Sequence, residues 1–149
     1  MNRFTLAIRG GAGNILRKKM TPSLEEAFRK GLQSALDKGY SILSNGGSSL
    51  EAVKIAVMDM EDNELFNAGR GSVFTNEGSH EMDALIMDGK SLNAGAVGVV
   101  KNIRNPVELA EKIMLQSGHV FLGGEGALEF ARQTGVAIES DDYFFSQFR

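Results

Sequence analysis

The chain has 149 residues, with 16 basic against 19 acidic side chains and a formal net charge of −3. With 42% hydrophobic and 23% charged residues it has the composition of a globular domain, and its acidic balance without a basic cluster argues against a dedicated nucleic-acid binder. The lack of cysteine excludes disulfide frameworks, thiolate zinc sites and cysteine nucleophiles, and no apolar run reaches the ~20 residues that span a bilayer.

In chain order, Phe4-Thr5-Leu6-Ala7-Ile8 reads as a short strand. It carries neither the apolar core nor the cleavage site of a signal peptide. Gly10-Gly11-Ala12-Gly13 follows, either a loop whose amides cradle an anion or a tight turn where backbone passes close. A dinucleotide fingerprint needs glycine at position 16, which is Leu16, and a Walker loop ending at Gly89-Lys90-Ser91 needs one at Ala84.

From Ser23 the apolar residues recur at helical spacing to Leu43, with Ser23 and Glu26 as a capping box and Asn45-Gly46-Gly47 as the stop. Ser48 and Glu51 open a second helix, so the pair reads as a helical hairpin. Asp59 and Glu61 to Glu64 have calcium-loop composition without EF-hand spacing. They read as a solvated helix end or, continued by Asn67-Ala68-Gly69-Arg70-Gly71, as a loop whose carbonyls converge on a monovalent cation.

Strands are expected at 71–75, 82–87 and 94–100, joined by turns at Asn76-Glu77-Gly78 and Asp88-Gly89-Lys90. Such short loops imply antiparallel pairing. Asn105-Pro106-Val107-Glu108 supplies an N-cap, Pro at N1 and Glu at N3 of a third helix, with Leu109 and Ile113 facing inward. A strand at 119–122 and a helix from about Glu125 to Gln133, ended by Gly135, complete the regular elements. The tail after Glu139 has no clear period. His80 and His119 stand alone, as hydrogen-bonding or surface residues. Asp83 is either buried and paired or solvent-facing. Helices on antiparallel sheets, an α+β chain without an internal boundary, is the architecture these elements favour.

Six segments together resemble one family. They are Leu6–Gly13, Leu65–Gly71, His80–Gly89, Leu92–Val97, Arg104-Asn105-Pro106 and Gly123–Ala127, and in this order they look like the plant-type asparaginases, also called isoaspartyl or β-aspartyl peptidases. Glycine, 18 of 149 residues against a usual ~7%, is concentrated in these segments.

The resemblance implies an N-terminal-nucleophile hydrolase with an αββα four-layer sandwich, made by self-cleavage into α and β subunits. It covers the α subunit only, so residues 1–149 are expected to be half of one hydrolase domain. The nucleophilic threonine would open a β subunit on another chain, in an (αβ)2 heterotetramer acting in the cytoplasm on β-aspartyl peptides or L-asparagine. The alternatives are a glycosylasparaginase or threonine endopeptidase of the same superfamily, or a non-catalytic anion-binding module. In the family the Asn matching Asn67 lies beside the nucleophile; a loop-stabilising role for Asn67 is the other reading. Gly10, Gly11 and Gly13 match the nucleophile-side loop. Main-chain carbonyls of Met60, Glu61, Asn63, Phe66, Ala68 and Arg70 match a structural sodium site. Two departures stand out: Arg9 replaces the family's His, and Ser117-Gly118-His119 replaces a Ser-Pro-His linked to potassium response, so no potassium switch is expected.

Overall fold

A computed structural model describes residues 3–11 and 17–148 (of Arg17, the backbone alone). They form two compact units that divide between Met60 and Glu61. Gly13 lies outside the described residues.

The first unit is built on a helical hairpin. Helix α1 spans Pro22–Ser44. Its N-cap is Thr21 rather than Ser23: the Thr21 hydroxyl accepts the Leu24 N–H at 3.2 Å, and Pro22 fills the first turn, where no donor is needed. At the other end Gly46 takes φ +84°, its N–H bonding the Leu43 carbonyl while that of Gly47 bonds Ile42, the paired closure that satisfies orphan carbonyls. Helix α2, Ser49–Glu61, opens with the Ser48 hydroxyl accepting the Glu51 N–H at 3.1 Å.

The expected strand at Phe4–Ile8 is not formed. Leu6, Ile8 and Gly10 are more buried than their neighbours, so the period of two is present without a hydrogen-bonded partner among the described residues. Leu6 packs instead on Gly39 of α1, where an added Cβ would lie 2.8 Å from Leu6 Cδ2.

The second unit carries a three-stranded sheet in the order β1 (Met82–Met87), β2 (Ala94–Val100), β3 (Phe121–Gly123). β1 and β2 are antiparallel as expected. Their turn is fixed by the Asp88 carboxylate, which accepts N–H bonds from Lys90 and Ser91 and the Ser91 hydroxyl. β3 runs parallel to β2, against the expected all-antiparallel sheet. Helix α3, Pro106–Gln116, supplies the crossover that a parallel pair requires. The strand expected at 71–75 is reduced to one bridge, Phe74 to His80, because Gly69–Gly71 is a tight 3-10 turn.

Helices α3 and α4 (Gly124–Thr134, closed by Gly135 at φ +70°) cover one sheet face. Val97, Val100, Ile103, Leu109, Ile113, Ala127 and Ala131 form the core there with Phe144 of α5, a single turn at Asp141–Phe144. An added Cβ on Gly95 would lie 2.7 Å from the Met114 nitrogen, so helix and strand backbones meet directly. On the other face Leu85 pairs with Ala96, which pairs with Phe121; Leu85 is 72% and Phe121 59% exposed. The architecture is α+β with a small sheet. Among the described residues no helix is long and apolar enough to cross a membrane.

Candidate active site

The segment Glu61–Ser72 leaves α2 and winds back on itself. Its carbonyls crowd two glycines. A Cβ on Gly69, which sits at φ +50°, would collide with the Glu61 carbonyl oxygen. One on Gly71 would collide with that of Phe66 and lie 2.6 Å from that of Glu64. Asn63, Phe66 and Ala68 each accept one loop N–H, from Phe66, Ala68 and Gly71 at 2.9–3.1 Å. A carbonyl oxygen has a second lone pair. Close-set carbonyls are the donor chemistry of a hard cation. Of the two remaining expected contributors, Arg70 lies in the turn Gly69–Gly71 and Met60 belongs to the first unit. Among the described residues no group of three or more His, Asp or Glu side chains could hold a metal ion.

The acidic residues are not a freely solvated helix end. Glu61 is buried, and its Oε1 accepts the Val107 N–H at 3.1 Å, capping α3 from outside that helix. Burial pushes its carboxyl up to about 8, the bonds from Val107 and Asn105 opposing only part of that shift. At neutral pH the group is mostly protonated. Asn105 makes no side-chain cap of its own helix; its amide donates to Asp62 at 3.3 Å. Asp62 also receives Arg104 through two nitrogens at 3.2 Å and the Tyr143 hydroxyl at 3.1 Å. Burial alone would raise the Asp62 carboxyl; these partners outweigh it and hold it below the ordinary value. Tyr143 has a further neighbour: the Arg70 guanidinium lies 5.6 Å from its ring centre and that of Arg104 5.7 Å. The Ser146 hydroxyl donates to Glu64 at 3.0 Å. The tail is thus bound to the loop by side chains that no periodicity announces.

Asn67 follows the buried Phe66, and its Oδ1 accepts the Val73 N–H at 2.9 Å. That bond is the loop-stabilising role open from sequence, and it leaves the Nδ2 hydrogens as what Asn67 can offer a ligand. Asn67 lines a cavity of about 200 Å³ with Ser72, Glu81 and Asp83. His80 Nδ1 lies 3.0 Å from the Ser72 carbonyl, which can only accept, so Nδ1 carries the hydrogen. Asp83 is exposed and accepts the Val99 N–H at 2.8 Å. Val99 sits at φ +55°, unfavourable for a β-branched residue, beside a break in the β1–β2 register. Gly11 is at φ +92°, a left-handed conformation that favours glycine.

The family model described as asparaginase matches residues 2–149. The chain belongs to the asparaginase family. The family resemblance read from the sequence is therefore borne out. Among curated asparaginase-family relatives, the chain is 46% identical over 131 residues to "Isoaspartyl peptidase/L-asparaginase" of Xenopus laevis, covering 88% of this chain and 41% of that protein. It is 42% identical over 149 residues to "Isoaspartyl peptidase" of Escherichia coli strain K12, covering 100% and 46%. It is 46% identical over 130 residues to "Plant-type L-asparaginase" of Pyrococcus furiosus, covering 87% and 41%. The asparaginase-family chain described above thus spans less than half the length of these relatives.

Proposed function

We propose that this chain is the α portion of a threonine-nucleophile amidohydrolase that cleaves isoaspartyl peptides and L-asparagine. The observation that carries this reading is the match of residues 2–149 to a family whose relatives bear those names. The nucleophile is then a threonine that begins a β portion outside this sequence. Its hydroxyl attacks the substrate's side-chain carbonyl, and its own α-amine takes the proton, which is why cleavage must precede activity. Oxyanion donors on the β portion stabilise the tetrahedral intermediate. Collapse of that intermediate expels ammonia or an amine with a proton and leaves an aspartyl ester, which water hydrolyses to aspartate and free threonine.

Within this scheme Asn67 is fixed by Val73 and donates through Nδ2 to the nucleophile's surroundings. The turn containing Gly10 and Gly11, with Gly13 beyond it, flanks the nucleophile. The loop carbonyls of Met60, Glu61, Asn63, Phe66, Ala68 and Arg70 bind a sodium ion. That ion's part is structural: it holds the loop carrying Asn67. Two features support completion of an αββα sandwich and an (αβ)2 assembly by a second portion. The row Leu85, Ala96 and Phe121 is apolar with Leu85 and Phe121 exposed, and residues 3–11 have strand-like burial without a hydrogen-bonded strand partner among the described residues.

Intact-mass measurement of the native protein is expected to find two chains, one beginning with threonine. The same material should hydrolyse β-aspartyl dipeptides and asparagine, and not a glycosylated asparagine. A lone 16.1 kDa chain that hydrolyses β-aspartyl dipeptides by itself would overturn the proposal.

A further inference from the structure

We infer that Tyr143 is a positioning residue for the cation loop: it holds the Arg70 guanidinium against its ring and so keeps that charge from competing with a monovalent cation at the loop carbonyls. The inference rests on the cation reading proposed above.

It starts from an electrostatic conflict. Arg70 is itself one of the carbonyl contributors, so its side chain begins at the site's edge. A permanent positive charge there opposes a bound cation unless the side chain is held elsewhere. A long exposed arginine has many rotamers, and some of them bring the charge close. The structure supplies the restraint. The Arg70 guanidinium lies 5.6 Å from the Tyr143 ring centre, within the range where the ring's negative face attracts a cation.

The ring is itself fixed. The Tyr143 hydroxyl donates to Asp62, the neighbouring Phe144 is 1% exposed, and the two rings meet edge-on at 5.0 Å. The Asp62 carboxylate is occupied by Arg104, Asn105 and Tyr143. The tyrosine therefore engages two components of the loop: its hydroxyl reaches Asp62 and its ring receives Arg70.

The decisive contrast separates ring from hydroxyl and restraint from bulk. Tyr143→Phe keeps the aromatic face; Tyr143→Leu keeps an apolar side chain of useful size without it. Melting temperature of the full-length, processed protein is followed as sodium replaces N-methylglucamine at constant ionic strength. Wild type should melt higher with sodium, as binding to the folded state requires. Tyr143→Leu should need about two- to fivefold more sodium for half of that rise, the order expected for an approaching, solvent-screened charge. Tyr143→Phe, which keeps the aromatic face and its edge contact with Phe144, should titrate nearer to wild type than Tyr143→Leu. Adding Arg70→Ala to Tyr143→Leu should restore the wild-type midpoint, which a general loss of stability would not do. A wild type whose melting ignores sodium overturns the cation reading and this inference with it. A responsive wild type with an unchanged Tyr143→Leu midpoint, or no rescue by Arg70→Ala, overturns this inference alone.

Discussion

Asn67 accepts the Val73 N–H through Oδ1 and, in the proposed scheme, donates through Nδ2, so substitution can separate the two roles. Tm and kcat should both fall in Asn67→Ala, the stability loss being about 1 kcal/mol for the Val73 bond and the rate loss roughly ten- to hundredfold. Asn67→Asp keeps the acceptor and removes the donors, so melting should recover while kcat stays low; recovery of both would refute the donor role. Glu61 gives a pH signature. Its carboxyl is raised to about 8 in the folded chain from an ordinary 4.5, so the native state holds the extra proton between those values. The stability this contributes is complete below about pH 4.5 and is lost as pH rises through about 8. Glu61→Gln, neutral at every pH and able to accept the Val107 N–H, should flatten that slope in urea unfolding between pH 5.5 and 8.5. An equal slope in both proteins would show that the carboxyl does not titrate as argued. The place of Asn67 in a glycine-flanked loop was legible in the sequence. The burial of Glu61 was not, because its partner Val107 is 46 residues away and offers only a backbone N–H.

Among the elements, those with local causes could be read from sequence. α1, α2, α3 and α4 follow their apolar spacing, α2 also its Ser48 cap, and the β1–β2 hairpin follows Asp88 and its turn. The errors have a common origin in partners that local pattern does not contain. Ser23-x-x-Glu26 is the better written box, yet Thr21 caps α1, and Glu61 rather than Asn105 caps α3. β3 is parallel because α3 intervenes, a property of connection rather than of composition. The Glu61–Ser72 loop depends on glycine more than on its acidic residues. Gly71→Ala should cost about 2 kcal/mol or more, since the Cβ meets fixed carbonyls rather than a flexible side chain. It should also abolish the sodium-dependent rise in melting temperature; an alanine variant that keeps both would show that the carbonyls do not need to converge there.

At the scale of the whole molecule, the sequence read α+β correctly through its helix periods and turns, yet could not say which sheet face is covered. The structure gives α3 and α4 to one face and leaves Leu85 and Phe121 open on the other. Leu85→Asp should leave the helix-covered core folded, because the side chain is 72% exposed, while preventing association with a second sheet. Native mass and circular dichroism would check the two halves of that expectation; an intact assembly would show that this face is not an interface. The tail contacts carry a consequence for synthesis. The Tyr143–Asp62 and Ser146–Glu64 bonds join residues 81 and 82 positions apart. Contacts of such separation form late, after much of the intervening chain has been ordered. A nascent chain that has delivered Asn67 from the ribosome still lacks the side chains that fasten its loop, and goes on lacking them until Ser146 has emerged. The loop's final shape is therefore set by the end of this segment, not by the stretch that encodes it.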